Sequence, residues 1–241
     1  EDYAKGLHTF LRIVKQRFKF LKGHITGPLT FTLGLKDTEG RLVYFDEELR
    51  EIALMLLKAK IRWQVDVLKQ FADEVIIFID EPILSALGSS AYLGVNPGEA
   101  MRLIEETANT VKEAGGISGI HCCGNADWPS VLKSSIDILN FDAYGYFDAF
   151  AMYHSEVRGF LEKGGYLAWG IVPTTDAIKD ESFYSIKKRF NYGIEKLSKS
   201  IPSELILSRI ILTPSCGTGS RSIEETEKIF QLLIRLEDAV S

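Results

Sequence analysis

The chain has 241 residues, 46% of them hydrophobic and 25% charged, a balance that suits one globular domain with a substantial core and argues against disorder. Formal net charge is −5 and the longest basic run is Lys187-Lys188-Arg189, so the electrostatic footprint of a nucleic-acid binder is missing. No apolar run approaches the roughly 18 residues of a membrane span, the opening residues show no sign of a signal peptide and none is expected, and three cysteines do not make a disulfide framework. The expectation is a soluble cytoplasmic protein with a small-molecule partner.

Taken in chain order, β-branched and aromatic runs that end in small or polar residues predict strands over 24–33, 74–80, 117–123, 138–144, 166–172 and 209–213. Between them, near-3.6-residue spacing of apolar residues predicts helices over 47–71, 97–114, 128–135, 155–164, 182–198 and 222–239. Asp46 is placed to cap the first of these helices. Gly115-Gly116 and Gly164-Gly165 are placed to end two others in left-handed geometry.

Alternating strands and helices call for a parallel sheet covered by helices. No glycine-rich phosphate loop follows a strand, and the polar residues gather where strands end, which favours a barrel over an open nucleotide-binding sheet. The fold expected is therefore an α/β, (β/α)8 TIM barrel forming a single domain over 1–241, with the first one or two β/α units missing from this chain.

The sharpest chemical feature is His121-Cys122-Cys123-Gly124-Asn125 at a strand end. Side chains two apart share a strand face, so His121 and Cys123 can converge while Cys122 turns to the helical layer. Cys216, in Thr213-Pro214-Ser215-Cys216-Gly217, follows another strand end on the same rim. One imidazole and two thiolates suit zinc and leave a position open, the mark of a catalytic site, although buried cysteine is also ordinary core packing.

Asp80-Glu81-Pro82 puts a carboxylate at a further strand end, where Asp80 holds a substrate ammonium group or caps a nearby helix. Asp142 shares that context and is either a fourth metal ligand or a partner of His121. Trp169 and Tyr144 sit near strand ends as pocket walls or as core, and His24 is read as a structural histidine.

Gly27-Pro28-Leu29-Thr30, Ile79-Asp80-Glu81-Pro82, His121-Cys122-Cys123-Gly124 and Pro214-Ser215-Cys216-Gly217, in that order, span nearly the whole chain. Together they resemble the catalytic domain of cobalamin-independent methionine synthase. The wider superfamily includes methylcobamide:coenzyme M methyltransferases and uroporphyrinogen decarboxylase, all (β/α)8 barrels.

The resemblance implies zinc on His121, Cys123 and Cys216, homocysteine sulfur completing the shell, and Asp80 holding the substrate amino group. Glu81 and Trp169 join Asp80 as substrate-binding residues. The family's remaining ligand is a glutamate, where this chain offers Asp142. The family's Gly-Ser-x-Pro segment and its second, N-terminal barrel have no counterpart here, so the likeness is to short, core-only forms whose methyl donor is methylcobalamin or a corrinoid protein. The resemblance thus implies zinc-dependent methylation of homocysteine to methionine. The alternatives are methylation of coenzyme M or a non-catalytic zinc- and corrinoid-binding module.

Overall fold

The computed structural model describes residues 4–240. Six parallel strands form one sheet in unbroken chain order: β1 (Phe18–Thr26), β2 (Ala72–Asp80), β3 (Ile117–Cys122), β4 (Ile138–Phe141), β5 (Tyr166–Val172) and β6 (Ile210–Pro214). The helices are α1 (Lys5–Ile13), α2 (Pro28–Gly34), α3 (Glu47–Leu68), α4 (Pro97–Glu113), α5 (Trp128–Lys133), α6 (Ala143–Phe150), α7 (His154–Glu162), α8 (Phe183–Ser198), α9 (Ser203–Leu207) and α10 (Ile223–Val240).

Local chemistry sets several of these boundaries. Asp46 accepts from Leu49 N at the start of α3, and Ser182 and Ser185 cap α8 reciprocally. Gly115 and Gly164 take φ of 78° and 98° just past α4 and α7, a conformation open to glycine and costly for residues with a Cβ.

Consecutive parallel strands joined by right-handed crossovers put their helices on one face of the sheet. That face holds the main core, where α3 (Leu57, Ile61, Val65) and α4 (Leu103, Ile104) cover Val75, Ile77 and Ile79 of β2. The opposite face curls around a smaller apolar cluster of Phe78, Ile138 and Ala168, to which no helix contributes a buried residue among those described. The result is a curled half-barrel of six strands, and β1 and β6 do not pair with each other.

The expected strand over 24–33 is corrected: β1 ends at Thr26 and α2 begins at Pro28. Proline at the first helical position has its φ preset and loses no hydrogen bond there, which outweighs the strand propensity of the β-branched and aromatic residues that follow. The strand predicted over 138–144 likewise stops at Phe141, because Asp142 caps α6.

Glu81 locks the first turn to the second strand. Fully buried, its carboxyl accepts from Leu29 N (2.8 Å), Thr30 N (2.9 Å) and Thr30 Oγ1 (2.7 Å), donors that the start of α2 would otherwise leave unpaired. A Cβ on Gly27 would lie 2.2 Å from Glu81 Cδ, so only glycine lets the carboxyl in.

Burial pushes the Glu81 carboxyl up from its ordinary 4.5 to about 7 against the pull of those three hydrogen bonds. The folded state therefore binds more protons than the unfolded one across that window, and stability falls as pH rises through it. We expect wild-type stability by urea unfolding to be roughly 3 kcal/mol lower at about pH 8 than at about pH 4.5 from this group alone, and Glu81→Gln to remove that slope. Gly27→Ala should cost at least the roughly 1 to 3 kcal/mol of an overpacked site at either pH. Equal pH slopes in wild type and Glu81→Gln would refute the assignment.

Candidate metal centre

Paired residues of a parallel sheet present their side chains to the same face. The register Thr26↔Asp80↔His121↔Asn140↔Ala168 therefore draws one row across the carboxyl ends of β1 to β5, on the concave side. One layer deeper lie Phe78, Gly119 and Ile138. The ring of Phe78 rests where Gly119 has no side chain, since a Cβ there would come within 2.8 Å of it. Polar chemistry thus sits on an apolar floor.

His121 belongs to this row. The chain then bends after Cys122, which is buried, while Cys123 emerges to solvent. From the far edge, β6 delivers Cys216 on a loop pinned by Ser215. That buried residue donates its N–H to Val172 O (2.8 Å), and its Oγ accepts from Thr174 N (3.1 Å). Among the described residues, one nitrogen of His121 and the sulfurs of Cys123 and Cys216 all lie within 4.8 Å of one another. His121 Nε2 and Cys216 Sγ are 3.8 Å apart. Nitrogen and sulfur held at about 2.0 and 2.3 Å on a tetrahedral zinc would be roughly 3.6 Å apart, so the donors fit that metal with little movement.

The electrostatics are those of donors competing for too few protons. Cys216 is driven well below the ordinary thiol range by hydrogen bonds from Cys123 and His121, and Cys123 is driven up by the same contact with Cys216. Burial alone would lower the His121 imidazole, but the hydrogen bond and charge of Cys216, with help from Asn140 and Asp80, raise it.

The other candidate residues take different posts. Asp142 caps α6, accepting from Gly145 N at 2.8 Å, and its oxygens are outside the three-residue group. Its carboxyl is raised first by burial and further by the negative charge of Cys216, so it feels the centre without joining it. Asp80 faces the concave side but is paired with His24, Oδ2 to Nδ1 at 2.8 Å. Its neighbour Glu81 turns the other way, under α2, and is shut off from the rim. Trp169 is fully buried in the helical layer between Phe147 and Phe190, and Tyr144 reaches outward to Glu181 and Arg189. Two contributors were missed in the sequence: Asn140, hydrogen-bonded to His121, and Ser215. The signal available for Asn140 was an amide inside the buried run Ile138–Phe141.

No family model and no curated protein matches this chain. Among solved structures it is similar to a GH5-4 broad specificity endoglucanase from an uncultured bacterium, at 14% identity and a TM-score of 0.42, over 89% of this chain and 70% of that one. It is also similar to GH5_18 from Bifidobacterium longum subsp. longum, at 10% identity and a TM-score of 0.34, over 86% of this chain and 42% of that one. The expectation of a methyltransferase acting on homocysteine or coenzyme M is corrected on this finding. The solved structures this chain is similar to are glycoside hydrolases, not methyltransferases.

The centre itself is open to direct measurement. Purified protein should bind about one zinc per chain, and Cys123→Ser or Cys216→Ser should each weaken binding at least a hundredfold, whereas Cys122→Ser should not. Because Cys123 holds its proton tightly in the metal-free chain, binding should release protons and strengthen as pH rises. Competition against a chromophoric chelator across pH measures both. Loss of binding in Cys122→Ser alone would reassign the donors.

Proposed function

We propose that this chain is a zinc-dependent protein in which His121, Cys123 and Cys216 hold the ion and one coordination position is left for a small exchangeable ligand. The observation that carries this is the convergence of one imidazole and two thiols, from strand ends distant in sequence, at separations a tetrahedral ion requires. No fourth histidine, cysteine or carboxylate among the described residues joins the group, as a closed structural site would want.

Zinc bound there supplies Lewis acidity, lowering the proton affinity of whatever occupies the open position. The chain contributes the means to move that proton. Asp80 stands next to His121 in register and fixes His24 through Nδ1, which leaves Nε2 of that imidazole available to give or take a proton. The reaction class that fits is activation of water or of a small hydroxylated ligand. A mechanism resting on two carboxylates is less well served, since Glu81 is buried under α2 and Asp142 caps α6.

The one-sided helices and the concave polar row support reading the sheet as six of the eight units of a (β/α)8 barrel, with two parallel strands needed between β6 and β1. No helix among the described residues is long and apolar enough to cross a membrane. Three free thiols are at home in a reducing compartment such as the cytoplasm.

Cobalt substitution tests the open position. The cobalt protein should show sulfur-to-metal charge transfer, and its visible bands should shift when azide or imidazole is added. Bands that ignore both ligands would mean a closed structural site. Asp80→Asn should leave metal content and the cobalt spectrum intact while abolishing any hydrolytic turnover found. An unchanged rate would remove Asp80 and His24 from the mechanism.

A further inference from the structure

Asn140 is a buried amide in the middle of β4, and its side chain is hydrogen-bonded on both ends. Its Nδ2 lies 2.7 Å from Ala168 O and 3.0 Å from Thr213 Oγ1, and its Oδ1 lies 2.6 Å from His121 Nδ1. These contacts fix the orientation of the amide without reference to any hydrogen position. The Ala168 carbonyl can only accept, so the group facing it must be the amide nitrogen. The oxygen is thereby turned to His121, and since it too can only accept, His121 Nδ1 must carry the proton. The lone pair is then on Nε2, the nitrogen 3.8 Å from Cys216 Sγ.

We infer that Asn140, oriented by Ala168 O and Thr213, is a positioning residue that holds His121 in the Nδ1-protonated form and aims Nε2 at the metal. The inference rests on the zinc reading for its purpose but not for its geometry, which belongs to the chain alone. Hydrogen-bond partners of this kind orient ligand rings and typically govern metal affinity by about 10- to 100-fold. The strand register makes the contact unavoidable, because Asn140 is the residue paired with His121. Thr213 reaches the same amide from β6, whose loop also carries Cys216. The imidazole and one of the thiolates are thus tied into a single hydrogen-bonded frame.

Nitrogen-15 NMR of the metal-free wild type, above the titration of His121, should find the proton on Nδ1 and none on Nε2. Asn140→Leu should release the tautomer and weaken zinc binding by about 10- to 100-fold with little loss of thermal stability beyond that of the bound metal. Asn140→Asp keeps an acceptor for Nδ1 but sets its second oxygen against the Ala168 carbonyl, so it should restore the tautomer and only part of the affinity. Thr213→Val, which removes one of two acceptors for the amide, should cost a few-fold. A proton on Nε2 in the wild type, or an Asn140→Leu protein that binds zinc as tightly as the wild type, would overturn the inference. A wild type that shows the Nδ1 form but binds no zinc would instead sink the metal reading and leave the positioning intact. Should Asn140→Leu fail to fold, the wild-type tautomer and Thr213→Val still decide.

Discussion

The pairing of β2, β3 and β4 in register is the constraint on which the rest depends. It sets Asp80, His121 and Asn140 side by side on the concave face, and it sends Glu81 and Cys122 to the other. Because strand side chains alternate, a slip of one residue would invert the whole assignment. Glu81 would then meet the concave face and Asp80 the core, and the buried thiol would be exposed. The apolar floor and the helical core together make that slip costly, since Ile77 and Ile79 would trade places with Phe78 and Asp80.

Two adjacent carboxylates show how much that alternation decides. Asp80 and Glu81 have nearly the same chemistry and opposite environments. Asp80 stays partly exposed, with a histidine for company. Glu81 is sealed away from water, a placement that costs several kcal/mol unless hydrogen bonds are supplied, and here the first N–H groups of α2 supply them. The same acceptor that satisfies the helix also spans β1 and β2, so the turn at Gly27-Pro28 and the end of β2 form one unit. Sequence alone offered the pair as a substrate clamp because spacing does not report which carboxylate faces inward.

Much of the frame was legible. The apolar runs located five of the six strands to within a few residues, and the alternation at His121-Cys122-Cys123 foretold which cysteine would be buried. The beginning of β1 was not, because Lys19 and Lys22 interrupt its hydrophobic pattern. Lys22 reaches the concave face, where its ammonium lies over the Phe78 ring at 4.7 Å, and burial lowers its pKa. A strand of a closed core would not carry such a residue, but one lining a polar mouth can. Asn140 and Ser215 escaped for a related reason. Each earns its role through a partner more than 15 residues away, and no local pattern reports that partner.

The donors also measure the shape of the sheet. Neighbouring strands lie about 4.8 Å apart, so β3 and β6, three steps distant, would be roughly 14 Å apart in a flat sheet. His121 comes from β3 and Cys216 from the loop after β6, yet their donor atoms are 3.8 Å apart. Side-chain reach closes part of that gap, and curvature must close the remainder. The centre is therefore a chord across the mouth of the curl, passing over β4 and β5, and anything that binds it favours the curled state over a flatter one by mass action. The same close contact divides the protons unevenly in the metal-free chain, pushing the Cys123 thiol up and the Cys216 thiol down. An ion bound by these donors would replace the shared protons with a charge able to hold both sulfurs at once, so that the curvature of the sheet and the protonation of its thiols would respond to the same event.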